Sequence, residues 1–173
     1  GGYLLNWGAH IVDPPLMLLK GQVASVFACM RQWMNPGDVE DLFMATMTLS
    51  DGTMVQAEYT ISVEEMPTWI VQGDEGTITV RGLDLTVSRN TAKAPDDPTL
   101  FATMQSEGTS VTTERLVGDP YGDQNEIYAE LAGVVRGEKP QPVPTADALN
   151  LSRLFDAIRT SSDENRVVTL GQD

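Results

Sequence analysis

The stretch Leu42-Phe43-Met44-Ala45-Thr46-Met47-Thr48-Leu49-Ser50-Asp51-Gly52-Thr53-Met54-Val55-Gln56-Ala57-Glu58-Tyr59-Thr60-Ile61-Ser62-Val63 decides the fold. Asp51-Gly52 tolerates the positive φ of a type I′ turn and predicts a hairpin of strands 40–49 and 54–63. In the second strand Val55, Ala57, Tyr59, Ile61 and Val63 share one face, and Gln56, Glu58, Thr60 and Ser62 the other. One dry face and one wet face predict an antiparallel sheet covered on a single side. The first strand is apolar on both faces, with Phe43, Met47 and Leu49 against Leu42 and Met44, so it is expected nearer the sheet centre.

Upstream, residues 22–34 are rich in Val, Phe, Cys and Trp and predict a strand that ends at the turn cluster Asn35-Pro36-Gly37-Asp38. Before it, residues 3–13 predict a helix, with Leu4, Leu5, Ala9 and Val12 at roughly helical spacing. Pro14-Pro15 removes the N–H groups that would bond the carbonyls of His10 and Ile11. The helix is therefore expected to stop or kink there, with Asp13 able to cap a second short helix running to Lys20-Gly21.

Downstream, 68–72, 76–81 and 83–88 predict short strands punctuated by Gly73-Asp74-Glu75-Gly76 and Gly82, and residues 90–109 predict an exposed loop. One more strand is expected at 110–117. Asp123 with Glu126 predicts a capped helix to about Arg136, ended by Gly137. Thr145 is expected to cap a last helix to about Ser161, and 166–170 predict a closing strand. Helix, many strands, two helices and a strand is no βα alternation. It predicts an α+β fold: an open, mainly antiparallel sheet with helices packed on one face.

Composition bounds the function. The 173 residues carry a net charge of −14, which disfavours nucleic acid and anionic membranes as partners. A hydrophobic fraction of 41% is high enough for a packed core. No apolar run is long enough to span a bilayer and no signal peptide is visible, so a cytoplasmic location is expected. Cys29 is the one cysteine, so neither an internal disulfide nor a thiolate zinc site is expected. The acidic residues are dispersed and form no calcium-loop pattern, so no metal is expected.

His10 is the one histidine, so any imidazole chemistry rests on it. Asn6, His10 and Asp13 stand at i, i+4 and i+7, a polar stripe on an otherwise apolar helix. An imidazole there can move a proton, Asn6 can orient a hydroxyl, and Asp13 can orient the ring or cap a turn. The same residue types also serve as ordinary satisfied polar groups.

Gly1-Gly2-x-Leu4-x-Asn6-x-Gly8-x-His10-x-x-Asp13 resembles the motif G-G-x-L-x-D-x-G-x-H-x-x-D that opens the C-terminal domain of the Gfo/Idh/MocA family of NAD(P)-dependent sugar dehydrogenases. Val39-Glu40-Asp41 with the hairpin, Ile70-Val71-Gln72-Gly73-Asp74-Glu75-Gly76-Thr77-Ile78, and the closing run from Tyr128 through Pro140 and Ala146-Asp147-Ala148 to Arg166-Val167-Val168 extend the resemblance along the chain. It implies one substrate-binding and oligomerisation domain over 1–173, with the Rossmann domain that binds NAD or NADP missing from this chain. His10 then maps to the catalytic acid or base beside a sugar, cyclitol or polyol hydroxyl. Asn6 stands where the family has Asp, and it cannot accept a proton as a carboxylate does. Trp7, Tyr3 and Asp13 are the other candidates for lining the substrate site. Glu138-Lys139-Pro140 matches the family's E-K-P tripeptide but not its place, since that motif precedes the Gly-Gly motif; a connector is expected here. The resemblance also implies a homo-oligomer through the sheet face, to which Trp33, Met34, Leu42 and Met44 are expected to contribute. Two alternatives stay open: a non-catalytic binding or oligomerisation module with a degenerate site, and redox-neutral sugar chemistry that uses bound NAD.

Overall fold

The computed structural model describes residues 2–61, 66–89, 96–100, 109–118, 122–171. Its helices are α1 (Tyr3–Leu19), α2 (Gln124–Val135) and α3 (Thr145–Glu164). Its strands are β1 (Val23–Arg31), β2 (Leu42–Leu49), β3 (Met54–Thr60), β4 (Trp69–Gly73), β5 (Gly76–Arg81), β6 (Asp84–Arg89), β7 (Ser110–Arg115) and β8 (Val168–Thr169). The α+β class is as expected, and every strand pairing is antiparallel. The strands divide into two four-stranded sheets, ordered β3-β2-β1-β8 and β4-β5-β6-β7. Two compact units follow the same division, Gly1–Val63 with Lys139–Asp173, and Glu64–Glu138.

The first unit holds the core. Val26 and Ala28 of β1, Phe43, Ala45 and Met47 of β2, and Val55 and Ala57 of β3 are in register on one face. Leu4 and Val12 of α1 and Leu154, Phe155 and Ile158 of α3 join them in one buried cluster. Full burial of a side chain such as Phe43 contributes about 1.5–3 kcal/mol, so this face anchors the two helices. The opposite face carries Phe27, Met44 and Met54, all exposed. β2 lies inside the sheet between β3 and β1, as its two-faced apolarity predicted.

Gly8 sets the helix spacing. A Cβ there would lie 3.1 Å from Leu4 Cδ1 and 3.3 Å from Phe155 Cζ, so a side chain at this approach of α1 and α3 would push Leu4 and Phe155 aside by a few tenths of an ångström.

Four local expectations need correction. Pro14-Pro15 does not stop the helix: α1 runs unbroken to Leu19 and ends at Lys20, which takes the left-handed conformation with φ 53°. Proline fixes φ near the helical value, so the helix continues although the carbonyls of His10 and Ile11 lose their helical donors. The hairpin turn is not type I′. Only Gly52 has a positive φ, 90°, and Leu49 N–H bonds Thr53 C=O, giving a three-residue loop closed by a glycine bulge. Asp51 Oδ1 accepts from Thr53 N–H at 2.9 Å within that loop. Thr145 is the first helical residue of α3 rather than its cap; Pro144 holds the cap position and no side chain bonds there. Asp123 does cap α2, but its carboxylate accepts from Asn125 N–H at 2.8 Å, so the reciprocal box with Glu126 is absent.

The C-terminus of α2 closes as expected. Gly137, with φ 74°, donates to Val134 C=O and Glu138 N–H donates to Gly133 C=O, a Schellman arrangement that needs the left-handed residue. Glu138-Lys139-Pro140 is thereby a helix-to-helix connector, with Glu138 paired to Arg136 at 2.8 Å. Of the expected loop at 90–109, residues 90–95 and 101–108 lie outside the described residues, as do Ser62 and Val63 of the second hairpin strand.

Candidate functional site

The candidate residues all lie on α1, whose start is organised from outside the helix. Its N-cap, Gly2 with φ 91°, has no side chain to offer the free N–H groups of the first turn. Glu40, at the end of the β1–β2 connection, supplies them. Its Oε1 accepts from Leu4 N–H at 3.1 Å and its backbone carbonyl from Tyr3 N–H at 3.2 Å. A carboxylate at this end also complements the helix dipole. The φ of 91° at Gly2 is a conformation that side chains rarely adopt, which explains the glycine.

Asp41 fixes the connection itself. It is buried, and its carboxylate accepts from the N–H groups of Trp33 at 2.7 Å, Met34 at 2.5 Å and Asn35 at 2.6 Å. Burial alone pushes its carboxyl up; the backbone donors of Asn35, Met34 and Trp33 together outweigh that and hold it below the usual carboxylate value. The loop so fastened presents Trp33 and Met34 outward, 66% and 62% exposed.

From this footing α1 presents two adjoining features. The first is an open groove lined by Gly2, Tyr3, Leu5, Asn6 and Val39. The second is a row of rings: Tyr3 stacks on Tyr59 of β3 with centroids 4.9 Å apart and planes 20° apart, and Tyr59 stacks on Trp7 at 5.7 Å and 10°. Trp7 meets His10 at 5.9 Å with the rings tilted by 60°. Asn6, Trp7 and His10 are exposed, whereas Tyr3 and Asp13 are half-buried.

Of the residues anticipated from sequence, the structure groups Tyr3 and Asn6 at the groove and Tyr3, Trp7 and His10 along the ring row. Asp13 stands apart, in the third turn of α1. Among the described residues no hydrogen bond joins His10 to Asn6 or Asp13; its near neighbour is the Trp7 ring. Tyr59, Glu40 and Asp41 were missed as parts of this region. Tyr59 alternates with Val55 and Ala57 and reads as an ordinary core position, while Glu40-Asp41 reads as a charged loop end. Only a carboxylate pair set between a turn cluster and an apolar strand hinted that those charges face inward.

Chemically, the row offers an imidazole able to exchange a proton and ring faces suited to C–H groups, and the groove offers an amide able to orient a hydroxyl. The N-terminus of α1 already holds Glu40, that of α2 holds Asp123, and the first turn of α3 carries Asp147. Carboxylates at these ends repel the phosphates that bare helix N-termini attract. Among the described residues no group of three His, Cys, Asp or Glu side chains could hold a metal ion, and no helix is long and apolar enough to cross a membrane.

Residues 1–79 match the family model described as the GFO/IDH/MocA C-terminal domain. Nothing among curated proteins matches. Among solved structures, an NAD-binding protein from Listeria innocua is similar at 25% identity and a TM-score of 0.75, over 98% of this chain and 48% of that one. The WlbA dehydrogenase from Bordetella pertussis, solved with NADH and UDP-GlcNAcA, is similar in fold at 16% identity and a TM-score of 0.61, over 100% of this chain and 46% of that one. GenD2 from gentamicin A biosynthesis, solved with NAD, is similar in fold at 18% identity and a TM-score of 0.61, over 99% and 49%. The chain thus spans about half the length of the solved structures it matches.

Proposed function

We propose that this chain, whose residues 1–79 carry the GFO/IDH/MocA C-terminal domain, is the substrate-side half of an NAD(P)-dependent oxidoreductase acting on a hydroxyl of a sugar, cyclitol or related polyol. The observation that carries the reading is His10, exposed in ring contact with Trp7 on the same helix as the groove that includes Asn6 and Tyr3. The structural neighbours solved with NAD or NADH support a nicotinamide partner reaction. The sugar nucleotide bound to the Bordetella dehydrogenase supports the substrate class.

The residues of this chain divide the work. Oxidation of an alcohol requires the hydroxyl proton to leave, and a ring nitrogen of His10 takes it; in the reverse direction His10 returns it. Asn6 binds a substrate hydroxyl through its amide, as donor or acceptor. Trp7 and Tyr3 lay ring faces against the sugar C–H groups. The nicotinamide nucleotide is held by a Rossmann domain outside these residues; the carboxylates at the starts of α1, α2 and α3 support that division. The exposed face of β1–β3 pairs with a second copy, and the protein works in the cytoplasm.

A competing reading, a binding or oligomerisation module with a decayed site, draws on Asn6 standing where the family motif has Asp and on the lack, among the described residues, of a carboxylate partner for His10. In the protein that includes its nucleotide-binding half, His10→Ala decides between the two. The expected result is a fall in turnover of about 10²–10⁴-fold with the melting temperature unchanged. Undiminished turnover on an accepted polyol would make His10 structural. Calorimetric titration of the 173-residue chain with NAD(H) and NADP(H) is expected to show no heat of binding. Tight binding would overturn the division of labour between the two halves.

A further inference from the structure

Tyr59 has no part in the proton transfer proposed above, yet it is the ring on which the site is mounted. It lies on the buried face of β3, in register with the fully buried Phe43 of β2. Its own ring stacks on both Tyr3 and Trp7. Of the four rings in the row, Tyr59 alone comes from the sheet; Tyr3, Trp7 and His10 all belong to α1. Within the ring row, the link between sheet and helix is therefore the Tyr59 side chain.

Trp7 is 42% exposed, and an indole on an open helix face has more than one rotamer available. Nearly parallel stacking on Tyr59, with 10° between the planes, selects one of them. In that rotamer the indole stands 5.9 Å from the imidazole, tilted by 60°. His10 has no hydrogen-bonding partner among the described residues, so the indole is what borders its ring on the Trp7 side.

We propose that Tyr59 is a positioning residue for His10: by stacking on Trp7 it fixes the indole, and the fixed indole limits where the imidazole can point. The proposal rests on the reading of His10 as the proton-transfer group, but its geometric part is tested without activity. The phenol hydroxyl plays no part; the aromatic face does. Phenylalanine should therefore replace Tyr59 and an aliphatic residue should not.

Nuclear magnetic resonance of the 173-residue chain makes the test direct, because its single histidine gives unambiguous ring signals. In the unsubstituted chain, contacts between the Tyr59 and Trp7 rings and between the Trp7 and His10 rings are expected; absence of either contact overturns the proposal. Tyr59→Leu keeps an apolar side chain at a half-buried site and is expected to move the His10 ring protons toward their positions in an unstructured chain. Tyr59→Phe is expected to leave them in place, and Trp7→Ala to displace them as Tyr59→Leu does. A folded Tyr59→Leu chain with unmoved His10 signals overturns the proposal.

Kinetics of the protein with its nucleotide-binding half separate the two ideas. Tyr59→Leu is expected to lower kcat about 10- to 100-fold with a smaller change in KM, and Tyr59→Phe to restore it. Displaced His10 signals with unchanged kcat would leave the positioning role standing and remove His10 from the chemistry. If Tyr59→Leu fails to fold, the ring contacts of the unsubstituted chain and the Trp7→Ala signals still decide.

Discussion

The hydroxyl of Ser161 in α3 accepts a hydrogen bond from the backbone N–H of Ala28 in β1 at 2.9 Å and donates one to the carbonyl of Arg166 at 2.6 Å. Two positions on, Met30 N–H bonds Ser162 Oγ at 2.8 Å. β8 pairs with β1 only at Ser25 and Val26, so beyond that point the strand edge has no strand beside it. The two serines take its place. A helix hydroxyl thus satisfies donors that a ninth strand would otherwise have to meet.

Ser161→Ala is therefore expected to leave the Ala28 N–H buried without a partner. Ser161 is fully buried, so the loss should be about 1–3 kcal/mol, seen as a lower urea midpoint at unchanged slope. Ser162→Ala, at a half-buried site that water can reach, should cost less. Equal, negligible effects from both would mean that the edge is not held by these hydroxyls.

The β1 edge shows where sequence reading stops. Strand existence and the dry face of β3 followed from period-2 alternation, which is local and survives in one dimension. Ser161 and Ser162 look like solvent-facing serines near a helix end, and nothing local says that a strand edge more than a hundred residues earlier needs them. Pro14-Pro15 failed in the other direction. The rule about lost N–H groups holds, but the buried Leu4 and Val12 on the same helix keep it seated on the core, and packing outweighs the lost bonds. Of the candidate site, the stripe Asn6, His10 and Asp13 was readable from helical spacing, with Tyr3 and Trp7 named beside it, though Asp13 stands apart in the structure. The ring row was not, because its middle member is supplied by β3.

Asp41 sets a pH dependence whose sign follows from its lowered carboxyl. The folded form prefers the carboxylate more than the unfolded chain does. Its contribution is therefore fully present above the unfolded value, about 3.9, and is lost as the pH falls from there through the lower folded value. Asp51, which accepts from Thr53 N–H, and Asp97, which bonds the Thr99 hydroxyl and N–H, shift the same way, so the total acid loss is shared. Asp41→Asn isolates one share. It puts an amide N–H₂ among three backbone donors, so it is expected to destabilise the chain at pH 7 and to flatten the stability profile below about pH 4. A variant with an unaltered acid slope would show that the carboxylate is not what the loop depends on.

The face of β1–β3 turned away from the helices carries Phe27, Met44 and Met54 in the open, 42%, 38% and 70% exposed. On the proposed oligomer, a charge there must be buried without a partner when two copies meet. Phe27→Asp combined with Met44→Asp is expected to convert the assembly to monomer in light scattering at micromolar concentration, with the melting temperature little changed at exposed positions. The Trp33-Met34 tip, whose backbone N–H groups bond Asp41, tests the extent of the contact: Trp33→Ala should weaken assembly if the loop takes part. A monomer in the unsubstituted protein would remove the oligomer from the proposal.

Asn6 separates a working site from a decayed one. It lines the groove beside Tyr3 and Val39, exposed and with its amide free to meet a ligand. If it orients a substrate hydroxyl, Asn6→Ala removes one neutral hydrogen bond, about 0.5–1.5 kcal/mol, and should raise KM by about 2- to 13-fold with kcat less affected. Asn6→Asp keeps the size and the acceptor but loses the donor and adds a negative charge to the helix whose first turn Glu40 already caps. On the proposed function that exchange brings no gain in turnover, because the site is built around the amide. A large gain would mean the reverse: that Asn6 replaced a needed carboxylate and that this chain descends from an enzyme whose chemistry it no longer performs.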